Sequence, residues 1–357
     1  MRFSVTLSYD GAPFCGWQVQ PGDPSVQACL EDALSKLLRT RVSVTGAGRT
    51  DSGVHAVGYV AHFDIEDVRE VPDPAEIAYK LNAILPPSVV VHSVVPAAPD
   101  FHARFDASKR KYTYFLHRMK DPFVEKYSLR RDWDLDFEAM NRAAALLLGR
   151  HDFACFEKTG TDVRTSICTV SEAYWAPYVP THVALMGFAP AASAPDRASA
   201  GTPGGSPADG GLRPSSHPAS SAAQITCLLR LSSPPFQQGC PPAVEATECL
   251  DTHGWRYAYF RISADRFLRN MVRAVVGTLL EVGRGKRSVE EFGALILPAE
   301  ASDVASGPSA EPLRKQENAS SAASAARPCL RGLAGDSVPG HALFFSGAEY
   351  DAWHLTH

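Results

Sequence analysis

The chain has 357 residues, enough for two domains with buried cores, and 45% of them are hydrophobic, as in ordinary globular proteins. Its formal net charge of −4 gives no general attraction to nucleic acid, so an RNA or DNA partner would need local basic patches. The eight cysteines include no Cys-x-x-Cys pair, and no apolar run approaches the roughly 20 residues of a membrane span. We expect a soluble cytoplasmic protein without a membrane segment, while the sequence leaves the nucleus and organelles open.

The first part of the chain alternates strand patterns with helix patterns. Residues 2–9 alternate apolar and polar side chains as a strand does, and Pro24 and Ser25 then start a helix with an apolar stripe. The pattern continues with a strand that carries Val57, Tyr59, Ala61, Phe63 and Ile65 on one face, a helix over 74–85, and strands over 89–95 and 109–117. This order of elements predicts a mixed α/β unit over residues 1–106.

The second part of the chain is interrupted by two segments of biased or irregular composition, 189–254 and 299–326. Such segments cannot bury enough apolar surface to offset the entropy of ordering them. Around them we predict a helix after Asp136, strands over 167–174, 182–186 and 256–262, a helix from about 265 to 282, and a last strand at 343–345. We therefore predict a second α/β unit over 107–298 with a disordered insertion at 189–254, a low-complexity insertion at 299–326, and a C-terminal strand and tail over 327–357.

Residues 46–55 (GAGRTDSGVH) form the most informative stretch, because three glycines bend the backbone around Arg49 and Asp51. A dinucleotide fingerprint would need glycine where Asp51 stands, and a Walker loop would need Gly-Lys-Ser/Thr. Asp51-Ser52-Gly53 matches the short signature of aspartic proteases, but those enzymes need two such carboxylates and the chain has one. On residue types alone, the favoured interpretation is that Asp51 bonds the amides of its own turn.

Two stretches interleave cations with aromatic residues, at 102–131 and 256–287. Such clusters neutralise phosphates and stack on unpaired bases, although a single cluster is equally well explained as a solvated face. In the helix predicted after Asp265, Arg266, Arg269 and Arg273 are spaced i, i+3 and i+7, so they would share one face. That stripe is typical of any amphipathic helix unless it faces a cleft with a carboxylate.

Four sequence motifs follow one another in an order that one protein family shares. They are residues 9–20 (YDGAPFCGWQVQ), 48–55 (GRTDSGVH), 101–105 (FHARF) with 111–114 (KYTY), and 267–273 (FLRNMVR) with Gly277. In these motifs the chain resembles the tRNA pseudouridine synthase A (TruA) family. The resemblance extends over nearly the whole chain outside 189–254 and 299–326, and four motifs in the right order are far more specific than any one of them.

The resemblance implies that the protein isomerises uridine to pseudouridine in the anticodon stem-loop of tRNA, at about positions 38 to 40. It implies that Asp51 is the catalytic carboxylate, either as nucleophile at C1′ or as a base, and that Arg273 forms an ion pair with it. It also implies that Tyr112 lies against the target uracil and that Arg49 helps to extrude the base. Further candidates for binding the substrate come from the basic motifs: Arg104, Arg110, Lys111 and Arg269.

The same resemblance implies a fold and a set of partners. The expected fold is α/β of the α+β type, a pseudouridine synthase fold. Two RNA-binding-like halves with mostly antiparallel sheets would meet at a central cleft, with helices outside. The expected partners are tRNA and a second copy of the chain in a homodimer. Because the reaction is redox-neutral and no metal-site spacing of His or Cys occurs, we expect no cofactor and no metal.

Three other interpretations stay open. A eukaryotic-type relative would share the catalytic motif but modify other tRNA uridines. A catalytically silent RNA-binding protein would have no use for an intact set of Asp51, Tyr112 and Arg273. An aspartic protease would need a second chain to supply the second carboxylate, and its activity would not depend on RNA. Mapping pseudouridine in tRNA incubated with the protein distinguishes these possibilities.

Overall fold

The structure is a computed structural model that describes residues 1–65, 73–158, 165–186, 255–299 and 333–350. Its strands are β1 (Arg2–Tyr9), β2 (Val44–Gly46), β3 (His55–Asp64), β4 (Val89–Pro96), β5 (Ala107–His117), β6 (Leu129–Arg130), β7 (Gly149–Asp152), β8 (Ile167–Pro177), β9 (Tyr257–Ala264), β10 (Leu297–Pro298) and β11 (Leu343–Tyr350). Its helices are α1 (Val26–Leu38), α2 (Pro74–Ile84), α3 (Phe137–Ala145), α4 (Thr181–Met186), α5 (Met271–Gly283) and α6 (Val289–Gly293). None of these helices is long and apolar enough to span a membrane. The insertions predicted at 189–254 and 299–326 lie outside the described residues, apart from Ala299.

The strands join a single, mostly antiparallel sheet in the order β10-β7-β8-β9-β5-β11-β3-β1-β4, with β2 on β3 and β6 on β5. The C-terminal strand β11 lies inside this sheet, parallel to β3 and antiparallel to β5. Phe344 pairs with His55 and Phe345 pairs with Tyr112, so one strand joins the end of the Gly-rich turn to the basic motif. The expected mixed α/β fold with mostly antiparallel strands is confirmed. The residue boundaries of its units stay a prediction.

Helix α1 forms where the sequence offers both a cap and an apolar stripe. The Ser25 hydroxyl accepts a hydrogen bond from the amide of Ala28 (3.2 Å), which satisfies one donor of the first turn. Val26, Leu30 and Leu34 are fully buried on one face. Helix α1 also contacts α2 and β2, so it covers the part of the sheet from which the Gly-rich turn leaves.

Helix α5 lies in the core and contacts α3 and α6. Gly277 lets the segment around Asp336 cross the helix closely, because a Cβ at residue 277 would lie 1.9 Å from the carbonyl oxygen of Asp336. The same crossing brings Val338 to the first turn of the helix, where its amide donates to the carbonyl of Arg273 (3.2 Å). The fourth motif thus fixes both the helix and the segment that crosses it.

The strand predicted at 182–186 is wrong, since residues Thr181–Met186 form the short helix α4. The amide of Ala184 donates to the carbonyl of Pro180 (2.9 Å), and proline is well suited to the start of a helix. Five residues span little more than one helical turn. Over so short a segment, a period of two and a period of 3.6 cannot be told apart.

Val57 does not share the buried face of β3 as predicted. Its side chain is 55% exposed, whereas Tyr59 is fully buried. In the pairing with β1, Leu7 lies opposite Tyr59 but Tyr9 lies opposite Ala56, so β3 has one extra residue and a β-bulge. Gly58, beside Val57, has a φ of +68°, and the sequence signal for the bulge was a glycine inside a strand pattern.

Helix α5 begins at Met271 rather than near residue 265, so the predicted arginine stripe is wrong. Arg266 and Arg269 precede the helix and do not share a helical face with Arg273. The residue before the helix, Asn270, has a φ of +66°, in the left-handed region, and its side-chain amide donates to the Ser337 hydroxyl (2.5 Å). This tertiary contact, which no local pattern records, decides where the helix starts.

Candidate active site

The Gly-rich turn between β2 and β3 is held by backbone hydrogen bonds and by one tyrosine. The amide of Ala47 donates to the carbonyl of Val60 (2.9 Å), and the amide of Gly48 donates to the Tyr59 hydroxyl (3.2 Å). That hydroxyl donates in turn to the Gly48 carbonyl. Burial raises the pKa of Tyr59 well above its usual value, so the hydroxyl keeps the proton that it donates. The turn is therefore held in place by hydrogen bonds on the approach to Asp51.

The loop after β1 supports the residue that precedes Asp51. Gly16 has a φ of +101°, and a Cβ there would lie 2.3 Å from the carbonyl oxygen of Thr50. The Trp17 amide donates to the same oxygen (3.2 Å), and the Thr50 hydroxyl is hydrogen-bonded to that of Tyr9 (2.9 Å). The first motif therefore has a structural task, which is to hold the second one in place.

Asp51 and Arg273 form an ion pair in which Nη1 of the arginine lies 3.3 Å from Oδ2 of the aspartate. The side chains of Asp51 and Arg273 are 31% and 24% exposed, so the pair lies in a recess that solvent can enter. Within the described residues, no amide of the turn donates to this carboxylate, so the Asx-turn favoured on residue types alone is not observed. The turn presents the carboxylate to Arg273 and to solvent.

Arg273 is oriented by a second acceptor. Its Nε donates to the carbonyl of Val338 (2.7 Å), and the hydroxyl of Tyr114 on β5 donates to the neighbouring carbonyl of Pro339 (3.1 Å). Because the guanidinium is a planar fork, binding at Nε fixes the direction in which Nη1 points. The sequence analysis missed Val338, since a backbone carbonyl leaves no signal in residue type.

Tyr112 is 8% exposed and lies close enough to Asp51 for the charge of that carboxylate to act on its hydroxyl. Its ring meets those of Phe267 and Phe345 edge to face, with ring centroids 5.0 and 5.4 Å apart. Burial, and to a smaller extent the negative charge of Asp51, raise the pKa of the Tyr112 hydroxyl far above its usual value. The phenol therefore stays protonated, and the ring is held in one orientation.

Three of the other predicted site arginines have exposed side chains. Arg49 lies two residues before Asp51 on the same turn. Arg104 lies in the loop before β5, with its guanidinium carbon 5.8 Å from the centroid of the Phe105 ring. Arg269 lies just before α5. All three are accessible to an anionic ligand, and Arg49 is the one that shares the turn with the carboxylate.

Arg110 and Lys111 are instead engaged within the protein. The guanidinium of Arg110 donates to the backbone carbonyls of Ala107 (2.7 Å), Asp265 (2.5 Å), Ala47 (3.4 Å) and Arg104. Nζ of Lys111 lies 2.5 Å from Oε1 of Glu349 on β11, and this partner lowers the pKa of Glu349. Arg110 therefore ties the Gly-rich turn to the loops that precede β5 and α5. A direct role of either residue in binding substrate stays a prediction.

His55, the last residue of the Gly-rich motif, holds the end of the turn. Its Nδ1 accepts from the amide of Gly11 (3.0 Å), and its Nε2 is hydrogen-bonded to the carbonyl of His341 (2.9 Å). Its ring stacks on Phe344 with centroids 4.7 Å apart. Burial lowers the pKa of His55, which favours a neutral ring that accepts at one nitrogen and donates at the other. The motif's histidine is thus a support of the site.

The recess brings together one carboxylate, one arginine and one buried tyrosine. A carboxylate beside an arginine can act as a nucleophile or as a general base, and the fixed guanidinium limits the directions from which it can attack. Among the residues that the structure describes, no group of three or more His, Cys, Asp or Glu side chains could hold a metal ion. The model of one family, described as tRNA pseudouridine synthase, matches residues 6–106 and 143–320.

The chain belongs to the tRNA pseudouridine synthase family. A Bacteroides thetaiotaomicron protein named tRNA pseudouridine synthase A is 38% identical over 349 residues, which are 98% of this chain and 90% of the relative. Proteins of the same name from Porphyromonas gingivalis and Neisseria gonorrhoeae are 36% and 33% identical, over 98% and 83% of this chain and 97% and 83% of the relatives. The resemblance inferred from the four motifs is confirmed. Asp51 and Arg273 lie within the ranges that match the tRNA pseudouridine synthase model.

Proposed function

We propose that this member of the tRNA pseudouridine synthase family isomerises uridine to pseudouridine in tRNA, with Asp51 and Arg273 as catalytic residues. The observation that carries the proposal is their ion pair at 3.3 Å, set on the Gly-rich turn and beside Tyr112. The substrate class comes from the relatives, which are named for tRNA. The proposed chemistry is thus argued from the residues of the site, and the proposed substrate is argued from the names of the relatives.

The proposed reaction exchanges one carbon–nitrogen bond for one carbon–carbon bond within a single nucleotide. The bond between C1′ and N1 breaks, the uracil turns, and C1′ bonds to C5, while C5 loses a proton and N1 gains one. Asp51 can attack C1′ as a nucleophile or remove the proton that starts an elimination. In both courses Arg273 holds the carboxylate in one orientation, and no electron acceptor is required.

The proposed target lies in the anticodon arm of tRNA, at about positions 38 to 40, where a stacked uridine must flip out at a cost of roughly a few kcal/mol. We assign Tyr112 to the wall against which the uracil rests. Arg49, exposed two residues before Asp51, is assigned to the extruded nucleotide. Arg104 and Arg269, which are also exposed, are assigned to phosphates of the RNA backbone.

We also propose that the protein is a cytoplasmic homodimer, the location following from the tRNA substrate. On one side of the central strands, the half-buried ring of Phe115 lies 6.4 Å from that of Tyr259 and 5.5 Å from that of Phe344, between centroids. A second copy of the chain packed there would bury these rings. Sedimentation velocity at micromolar concentration is expected to give the mass of a dimer, and a monomer would contradict this proposal.

The function is tested by incubating the full chain with an unmodified tRNA transcript and mapping pseudouridine at each nucleotide. We expect product in the anticodon arm with the wild-type protein and none above background with Asp51→Ala. Asp32→Ala removes an exposed carboxylate of α1 that is paired with Lys36, and it should behave as wild type. Product formed by Asp51→Ala would refute the catalytic assignment. Product confined to other arms of the tRNA would refute the proposed position.

A further inference from the structure

A cavity of about 270 Å³ lies along α5 beyond the turn that carries Arg273. One wall is the second half of α5 from Gly277 with Arg284, which directly follows the helix, and the other is the crossing segment from Asp336 to Pro339. That segment includes Val338, the residue whose carbonyl orients Arg273. At 1.5 Å per residue, the eleven positions from Arg273 to Arg284, at the end of α5, correspond to about 16 Å. The cavity is therefore apart from the recess that holds Asp51 but shares a wall with it.

Three cations line this cavity, and two of them lie over one indole ring. The guanidinium carbon of Arg284 lies 3.9 Å from the centroid of the Trp133 ring, and that of Arg131 lies 5.1 Å from it. Lys286 also lines the cavity. Within the described part of the chain, the side chains of Arg284 and Lys286 form no hydrogen bond and no ion pair, and the buried Nε of Arg131 has no partner.

Two carboxylates also line the cavity, and they do not balance these cations. Glu281 is taken up by a fourth cation, since Nε of Arg287 lies 2.9 Å from its Oε2. Asp336 is exposed and forms no ion pair with a described residue. Arg131, Arg284 and Lys286 therefore face one unpaired carboxylate, which leaves the cavity positive. An arginine stacked on an aromatic ring keeps its edge N–H groups directed outward, the arrangement that suits a phosphate.

We propose that this cavity binds a phosphodiester of the RNA substrate, away from the nucleotide that enters the recess of Asp51. The inference rests on the proposed function, because it takes the RNA to be the tRNA that the recess modifies. Segment 336–339, which borders both the cavity and the site of Asp51, would connect this phosphate contact to the catalytic residues. A phosphate seated against Arg284 and Lys286 would lie on the same rigid wall that orients Arg273. The RNA would then be held at two places on one framework.

The test compares the double variant Arg284→Ala/Lys286→Ala with the double variant Lys36→Ala/Arg142→Ala. The control removes the same charge from exposed positions on α1 and α3, where each cation pairs within its own helix. Equilibrium binding of unmodified tRNA is measured at several KCl concentrations for both variants and for the wild type. We expect the first variant to bind at least about 10-fold more weakly at low salt, with a slope of log affinity against log salt smaller by about 1 to 2.

The single-turnover rate at saturating tRNA should stay within about twofold of wild type in both double variants, because chemistry at Asp51 is not altered. An affinity and a slope equal to those of the control would overturn the proposal. A second result would also overturn it. If submillimolar inorganic phosphate at constant ionic strength occupies the cavity while the slope for tRNA is the same in Arg284→Ala/Lys286→Ala and wild type, the cavity is a site for free phosphate. If Arg284→Ala/Lys286→Ala binds tRNA more weakly and with the reduced slope while the wild type forms no pseudouridine, the proposed function fails and this site stands.

Discussion

Arg273 serves two acceptors from distant parts of the chain, the Asp51 carboxylate at 3.3 Å and the Val338 carbonyl at 2.7 Å. A lysine carries a single donor nitrogen on a flexible stem, so it cannot hold both with a fixed geometry. Because the ion pair is partly exposed, its contribution to the free energy of unfolding is small, about 0–1 kcal/mol. The loss of the arginine should therefore be seen in the reaction rate more than in stability.

At the residue scale, we predict that Arg273→Lys lowers the single-turnover rate of pseudouridine formation about 10- to 100-fold, because the carboxylate loses its fixed orientation. The midpoint of thermal unfolding should change by no more than about 3 °C. Rapid-quench assays at saturating tRNA measure the rate, and Arg142→Lys on α3 is the control, since that arginine pairs with Glu138 on the surface. A rate for Arg273→Lys equal to that of the control would contradict the role given to the ion pair.

The sequence predicted the two residues of the ion pair, Asp51 and Arg273, but not the backbone carbonyl that orients the arginine. Asp51 and Arg273 were identified because each belongs to a motif whose residue types carry the resemblance. The carbonyl of Val338 could not be identified, since every residue has one. Residues 222 positions apart meet only because β11 and the crossing segment bring the ends of the fold together.

At the element scale, Arg110 joins parts of the chain that secondary structure leaves separate. Its guanidinium holds the carbonyl of Ala47 on the Gly-rich turn and the carbonyl of Asp265 before α5. Burial lowers the pKa of Arg110, although the group stays charged at any physiological pH. A guanidinium whose donors are taken by carbonyls has little left for a phosphate. Arg110 is therefore better explained as a positioning residue.

We predict that Arg110→Ala lowers the single-turnover rate about 10-fold, since the turn is no longer tied to the loop before α5. The slope of log tRNA affinity against log salt should not change, whereas loss of a phosphate contact would reduce it by about 1. Arg110→Lys should not restore the rate, because one ammonium cannot reach four carbonyls. A reduced slope with an unchanged rate at saturating tRNA would instead support the substrate-binding role expected from the sequence.

Long elements with a clear period were predicted well, and short or bent ones were not. Helix α1 and strand β1 carry full apolar stripes, so their type was evident from the pattern alone. The prediction that Val57 shares the buried face of β3 was wrong because one extra residue at a bulge reverses the alternation of side chains. The start of α5 was wrong because Asn270 adopts a left-handed conformation and bonds Ser337, a choice made by tertiary contact.

At the scale of the whole molecule, the sheet buries three histidines in a form that resists protonation. Burial lowers the pKa of His62 to about 4, and it also lowers those of His55 and His117. Their usual value in an unfolded chain is about 6.5. Between those values the unfolded chain binds more protons than the folded one, so the free energy of unfolding decreases as the pH falls.

We predict that stability is greatest above about pH 6.5 and falls steadily from there to about pH 4. Thermal unfolding followed by circular dichroism across that range measures the fall. When each protein's stability is expressed relative to its own value at pH 7.5, His62→Gln should lose less stability than wild type as the pH falls. The reason is that the buried group that must be protonated is gone. His92→Gln, which changes an exposed histidine hydrogen-bonded to Ser8, should leave the slope unchanged. Equal slopes for His62→Gln and wild type would rule out this account.

The sequence by itself determined the family, the mixed α/β class and the residues that meet in the recess, because motifs and apolar periods are local and survive in the linear order of side chains. Only the tertiary structure decided that β11 joins β3 to β5, that Arg110 is taken up by carbonyls, and that three cations line one cavity, two of them over Trp133. These features depend on backbone groups and on contacts between distant residues. Such contacts have no signature until the chain is folded.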